Sequence, residues 1–329
     1  MTVMFRTSAV AGLLAVTMLA AGCGGAGRTP RPVTADATAV VPRPVNVEDP
    51  AKIPAAAPAP TCDPRASLRP PASMPRPGAM PAGSTMAAIA ARGRLVVGID
   101  QNAYLFGFRD PSTGELAGFE IDMAREIARG LFGDPGRVQF RAITTADRIP
   151  VLERREVDLV IRTMSMTCER WQKVSFSSEY IASRQRLLVR KADKIKDFPD
   201  LRGKKVCATK GSTSIITIDQ QPTDMIPVST DSTLDCLVLL QQHQVDAVST
   251  IDVLLAGLAA QDPTTEVVGS RVSDEPAGIG IPKEHADMVR FVNGVLERMR
   301  ADGTWTRVYD RWLKPRLGPA PVPVAVYRD

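Results

Sequence analysis

Between Leu95 and Gln261, short β-branched apolar runs alternate with stretches whose apolar residues recur at helical spacing. That alternation limits the fold to parallel or mixed sheets covered by helices, an α/β class. LVVGI (Leu95 to Ile99) and VDLVIR (Val157 to Arg162) read as buried strands, and VQFRAI (Val138 to Ile143) as the strand between them. Between them, Phe119, Met123, Ile127 and Leu131 mark one face of a helix ended by Gly133 and Pro135. A short helix over 148–155 tolerates Pro150 near its start. A long strand from Arg184 to Lys191 follows, and then the rhythm repeats. KKVCATKG, MIPVST and VDAVST read as strands, and STLDCLVLLQQHQ and Asp252 to Gln261 as helices. Strands are expected at EVVGS and Gly278 to Lys283, and one long amphipathic helical end from Ala286 to Leu313. Two lobes of this kind imply a cleft between them.

The stretch from Thr144 to Trp171 carries the chemistry. After VDLVIR the chain turns through Thr163-Met164-Ser165-Met166 and opens a helix with Thr167 as N-cap and Glu169 in its first turn. Arg170 also falls in that turn, where the helix dipole disfavours a cation. Two readings fit: an arginine held by an anion, or a surface arginine paired with Glu169 or solvent. A strand end, exposed amides and hydroxyls, a helix N-terminus and an arginine together suit a small carboxylate.

The first 90 residues differ in composition. Arg6 precedes an apolar run from Ala9 to Ala21, too short for a comfortable membrane span, so 1–22 reads as a signal peptide. Leu19-Ala20-Ala21-Gly22-Cys23 resembles the bacterial lipobox, with the leucine one place early; Cys23 would then be lipidated. Plain secretion with cleavage at an Ala-Gly site is the other reading. Residues 24 to about 85 are rich in Pro and Ala and poor in aromatics, too few apolar groups for a fold of their own. A mobile part over 24–61 would reach on the order of 100 Å when extended. The expected layout is 1–22 signal peptide, 23–89 lipidated cysteine and tether, 90–188 first lobe, 189–275 second lobe, 276–316 return to the first lobe, and 317–329 irregular tail.

Beside Cys23 stand four cysteines, an even number suited to two disulfides in an exported chain, with three connectivities open. Cys207 and Cys236 fall in one βαβ region and are paired here, which leaves Cys62 with Cys168. The net charge of +5 is dispersed, with no basic stripe interleaved with aromatics, so a nucleic-acid partner is not expected. The two histidines, His243 and His285, lie far apart, and no spacing suits a metal. Phosphate-loop, dinucleotide and nucleophile-elbow motifs are absent, so no cofactor is expected.

GRLVVGID, GELAGFEIDMAREIA, RIPVLERREVDLVI, MSMTCERWQKVSFSSEY, DLRGKKVCATKGSTS, QVDAVST, DEPAGIGIPK and RADGTWTRVYDRWL resemble, in order, the pattern of family 3 solute-binding proteins, over about residues 90 to 315. These are amino-acid receptors of bacterial ABC importers. The Pro-rich lead and TCDPRASLRP look like the glutamate/glutamine-binding lipoproteins of actinobacteria. The resemblance implies a type II periplasmic-binding-protein fold, with crossings near Leu188–Lys191 and Glu275–Ile279 and closure by hinge motion.

It also implies roles. Arg170 matches the arginine that grips the α-carboxylate in a bidentate fork. Ser165 and the Thr163 carbonyl match positions that hold carboxylate and ammonium. Thr213 matches the second-lobe loop that adds donors on closure. Asp100 and the loop 103–106 match a wall of the side-chain pocket, with Tyr104 and Phe106 as aromatic candidates; core packing is the other reading of Phe106. Most members have an aspartate at Ile251, so Asp252 either takes over the ammonium or caps its own helix. Thr145 with Arg148 matches the acidic-ligand pattern, and Arg162 is a further cation near the cleft or a structural one.

The expected ligands are Asp and Glu, with Asn a further candidate and Gln weaker. The expected protein is a monomeric, lipid-anchored, extracytoplasmic receptor that serves an ABC permease. The alternative output is a membrane sensor that reports nutrient supply. A dehydratase-like enzyme of the same fold needs a buried acid in the cleft; Asp100 is the one such acid and has no catalytic companion, so no enzyme is expected.

Overall fold

The computed structural model describes residues 41–53 and 60–329. The signal-peptide and Cys23 readings fall outside the described residues. Residues 42–329 form one compact unit that holds two five-stranded sheets.

In the first sheet the order is Val138–Ala142, Leu95–Ile99, Leu159–Val160, Gly280–Pro282, Val174–Phe176. Its first three strands run parallel, and Gly280–Pro282 is antiparallel to both neighbours. The helix Phe119–Phe132 covers one face with buried Ile121, Met123, Ile127 and Leu131. It begins beside Gly118 at φ 126°, where a Cβ would lie 2.2 Å from the Phe106 carbonyl oxygen, so the close approach requires glycine.

The second sheet has the order Ile226–Thr230, Lys205–Thr209, Ala247–Ile251, Gln185–Arg190, Thr265–Val268. Gln185–Arg190 pairs antiparallel with both neighbours. The first crossing therefore lies before Gln185, and a lobe boundary at residue 188 would cut a strand that belongs wholly to the second lobe. The return crossing runs beside it. Glu275 N donates to the Ser183 carbonyl at 2.9 Å, and Ile181 pairs with Ala277. Two antiparallel segments joining two rigid sheets are the geometry of a hinge.

Three terminal expectations need correction. Residues 42–53, read as mobile tether, dock along the outer strand of the second lobe. Glu48 and Ser229 exchange backbone hydrogen bonds at 3.0 and 2.9 Å, while Asp49 meets Lys205 at 2.7 Å. An open sheet edge offers unpaired backbone groups, and that pairing satisfies some of them. The segment 62–89 is part of the first lobe and not a tether. Ser67 is fully buried and donates to the Phe176 carbonyl at 2.8 Å, and the helix Thr85–Arg92 is capped by Ser84 and Gly93. The tail is not irregular throughout: Val326–Tyr327 pairs in parallel with Ala66–Ser67.

The C-terminal helix is also broken, into Ala286–Ala301 and Thr304–Trp312. Gly303, the N-cap of the second piece, turns left-handed at φ 73°, and Asp302 just before it accepts from Thr304 N at 2.9 Å. Cys62 is bonded to Cys168 and Cys207 to Cys236, with Cα atoms 5.7 and 5.6 Å apart. Among the described residues no helix is long and apolar enough to cross a membrane.

Candidate functional site

After Leu159–Val160 the chain runs from Ile161 to Met166 along the edge facing the second lobe. Thr163 holds φ at 39°, an unusual value for a β-branched residue. Its amide donates to Glu120 Oε1 at 2.6 Å and to the Tyr180 hydroxyl at 3.1 Å, which holds this conformation. Glu120 is fully buried, and burial pushes its carboxyl up to about 7, helped by the charge of Asp100 and opposed by the Tyr180 and Thr163 bonds. The helix Cys168–Lys173 follows, with Thr167 Oγ1 accepting from Arg170 N at 3.2 Å. The segment before Ser67 clamps this helix through the Cys62–Cys168 bond and a Trp171 Nε1 donation to the Pro64 carbonyl at 2.9 Å.

A small, nearly closed cavity lies between the lobes. The first lobe lines it with Thr145, Arg148, Arg162, Thr163 and Ser165. The second adds the strand-end residues Thr209, Thr250 and Ile251, together with Ser212, Thr213, Ser214, Thr233 and Leu254. Arg170 stands beside this lining. Its Nη1 donates to the Ser165 carbonyl at 2.8 Å, and its Nη2 reaches across to the Gly211 carbonyl at 3.2 Å.

Arg148 converges on the same acceptor. Its Nε donates to Thr145 O at 2.9 Å, its Nη1 to Thr163 O at 3.2 Å, and its Nη2 to Gly211 O at 3.3 Å. The lobes are thus in contact. Ser165 Oγ is also 3.4 Å from Thr213 Oγ1, which donates to Glu275 Oε2 at 2.8 Å.

Among the described residues neither Arg148 nor Arg170 has a carboxylate within ion-pair distance. Burial, then the charges of Arg170 and Arg162, push the Arg148 guanidinium well below its usual range. Burial lowers Arg170 as well, with Glu275 and Glu169 acting in the other direction. Two buried cations bonded only to carbonyls make a site that gains from an anion.

The other predicted residues divide. Thr145 meets the cavity, and its hydroxyl accepts from Arg162 Nη1 at 2.6 Å. Arg162 spends Nη2 on Asp100, at 2.7 Å, so this cation is already neutralised. Asp100 lies outside the cavity and accepts from Asn102 N at 2.9 Å. Tyr104 lines a smaller adjoining hollow with Asp100, Thr233 and Leu254, its ring edge-on to Phe108. Phe106 is fully buried against Phe119, which is the core reading.

Asp252 does not meet the cavity. Its Oδ1 accepts from Val253 N at 2.9 Å and Arg184 N at 3.2 Å, so it sits in the first turn of the helix Asp252–Gln261 and faces a separate hollow with Arg184, Trp305 and Tyr309. The sequence reading missed Thr209 and Thr250, although hydroxyl residues at the carboxyl ends of second-lobe strands were a visible signal. The Gly211 carbonyl, a backbone group, left no such signal.

The family model for bacterial extracellular solute-binding proteins, family 3, matches residues 95–315. The ABC transporter glutamine-binding protein GlnH of Bacillus subtilis is 35% identical over 231 residues, covering 70% of this chain and 85% of that protein. The glutamate-binding protein GluB of Corynebacterium glutamicum is 30% identical, covering 69% and 80%. An ancestral arginine-binding protein solved with arginine superposes with a TM-score of 0.62 at 34% identity, over 68% of this chain and 99% of that one. Such relatives are named as binding proteins and not as enzymes. The matched segment holds both five-stranded sheets and the whole cavity lining, and the chain belongs to family 3 of the bacterial extracellular solute-binding proteins.

Proposed function

We propose that this protein is an extracytoplasmic receptor, lipid-anchored through Cys23, that closes on an acidic amino acid and delivers it to an ABC permease. Asp and Glu are the ligands, Asn a further one, and Gln binds more weakly. Arg148 is the observation that carries the choice. Its guanidinium is buried, is bonded to carbonyls alone, and stands next to the equally unpaired Arg170. One carboxylate on Arg170 and a second on Arg148 would satisfy both cations. A neutral amide would leave Arg148 without an anion, a loss of a few kcal/mol in a desolvated site. Relatives named for glutamine and for glutamate both occur, so the family alone does not select between them.

The test is calorimetric titration of the purified protein against Asp, Glu, Asn and Gln, repeated with Arg148→Met, which keeps an apolar stem in the packed site. The wild type is expected to bind Asp and Glu at least about tenfold more tightly than Gln, and the variant to lose about a hundredfold for Glu but under about tenfold for Gln. A wild type that binds Gln best, or equal losses in the variant, would remove Arg148 from the side-chain pocket.

A further inference from the structure

We infer that Glu275, acting through the hydroxyl of Thr213, supplies the negative charge that balances the ligand's ammonium group in this cleft. The inference rests on reading the cavity as an amino-acid site and is independent of the side chain the amino acid carries.

The strand end of the second lobe offers no such charge. Ile251 lines the cavity and packs in the buried apolar cluster with Leu105, Phe106 and Val253. Asp252 lines a separate hollow. Asp100 is paired with Arg162 at 2.7 Å. Glu120 lies behind the strand end, on Thr163 N and the Tyr180 hydroxyl. Thr163 O, which the sequence reading assigned to the ammonium, already accepts from Arg148 at 3.2 Å.

Glu275 differs from these acids. It is 4% exposed and stands in the return crossing beside Ser183. Its Oε2 accepts from the Thr213 hydroxyl and its Oε1 from the Ser273 hydroxyl, both at 2.8 Å. The adjacent Asp274 takes the nearby cations, Arg184 at 2.5 Å and Arg65, and among the described residues no cation is paired with Glu275. A buried carboxylate held by neutral donors alone gains from a positive charge. Its own charge reaches the site. Burial lowers the Arg170 guanidinium, and the charge of Glu275, ahead of that of Glu169, acts against that.

Thr213 connects this charge to the cavity. It opens the helix Thr213–Gln220 and lines the cavity. A hydroxyl has one proton, and Thr213 gives it to Glu275, which leaves lone pairs for the cavity. Ser165 Oγ faces it from the other lobe at 3.4 Å, too far for a good O–H···O bond. An ammonium at this point would donate to Thr213 Oγ1 with the carboxylate directly behind. A helix start by itself disfavours a cation, and Glu275 offsets that. The charges then match group for group: two guanidiniums and a carboxylate from the protein, two carboxylates and an ammonium from Asp or Glu.

The experiment is calorimetric titration of the purified protein and of Glu275→Gln with pairs of ligands that differ only in the α-amino group. The pairs are L-glutamate and glutarate, L-aspartate and succinate, and L-glutamine and glutaramate. Glu275→Gln keeps an acceptor for the Thr213 hydroxyl and removes the charge. The wild type is expected to bind each amino acid at least about tenfold more tightly than its analogue. In the variant the amino acids are expected to lose about thirtyfold, while the analogues hold their affinity or gain. A wild type that takes the analogue within about tenfold of the amino acid overturns the inference without any variant. Equal losses for amino acid and analogue in Glu275→Gln overturn it too, because a structural role acts on both alike. If L-glutamine binds best and loses affinity in the variant while glutaramate does not, Glu275 keeps its role and the acidic-ligand reading falls. If L-glutamate binds best and glutarate falls with it in the variant, the acidic-ligand reading stands and this inference falls.

Discussion

The two halves of the cleft are built from different chemistry. The first lobe supplies all three of the arginines, Arg148, Arg162 and Arg170, and fixes them by bonds to its own carbonyls and to Asp100. The second lobe supplies hydroxyls, the Gly211 carbonyl and the apolar Ile251 and Leu254, and among the described residues no ionised side chain of its own in the lining. The contrast implies a division of labour. A charged half can attract and orient an anion while the lobes are apart, since Coulomb attraction acts over several ångströms. A half made of short-range donors and apolar surface acts only after closure, because hydrogen bonds and packing need contact. Affinity is then set mainly by the first lobe, and the second sets the closed state and the exclusion of water.

The strongest test of this asymmetry is Arg170→Ala. It removes an unpaired buried cation from the charged half and leaves the whole second lobe intact. Binding of every ligand is expected to fall by about a thousandfold or more, on the order of 4 kcal/mol, as measured by titration calorimetry. Retained affinity would mean that the charged half does not dominate.

The first lobe also contains a buried acid beneath its anion site. Burial pushes the Glu120 carboxyl up to about 7 in the fold, from an ordinary value of 4.5. Between those values the folded state binds more protons than the unfolded one, so stability falls as pH rises from about 4.5 to 7 and is then level. The shift corresponds to at most about 3 kcal/mol. Glu120→Gln keeps an acceptor for Thr163 N and the Tyr180 hydroxyl and removes the titration. Denaturation at pH 5 and pH 8 is therefore expected to show the wild type losing stability relative to the variant as pH rises. Parallel profiles would show that Glu120 does not carry the proton.

Much of the charged half was legible in the sequence, and the reason is local. Thr145, Arg148, Thr163, Ser165 and Arg170 all fall within a span of 26 residues on consecutive elements, so strand ends and a capped helix were enough to place them near one another. The second half is assembled from non-local pieces. Ile251 and Asp252 are adjacent, and whether the apolar or the charged side chain meets the cavity depends on where the strand stops and the helix begins. Ile251 lines the cavity and packs in the buried apolar cluster with Leu105 and Val253, and Asp252 lines a separate hollow. The lobe boundary was misjudged for a similar cause. An apolar run such as Gln185–Arg190 suits either sheet, and its neighbours, Ala247–Ile251 and Thr265–Val268, are dozens of residues away. Residues 42–53 and the strand Val326–Tyr327 show no periodicity, because each is fixed by a distant edge that local sequence does not contain.

The smallest effect belongs to the closing half. Thr213 Oγ1 donates to Glu275 Oε2 in the return crossing and lies 3.4 Å from Ser165 Oγ across the cleft. Thr213→Val preserves the β-branched shape and removes the hydroxyl. It leaves Glu275 one donor short in the closed state, where Glu275 is 4% exposed. A net hydrogen bond of this kind is worth about 1 kcal/mol, roughly fivefold in affinity. The loss is expected to be the same for Glu, Asp and Gln, because it acts on closure and not on the ligand's side chain. It should also appear mainly as faster dissociation, since the encounter is governed by the arginines of the first lobe. Stopped-flow binding separates the two rates. A slower association, or a loss confined to one ligand, would mean that Thr213 takes part in capture or selection, and the division between a capturing lobe and a closing lobe would have to be redrawn.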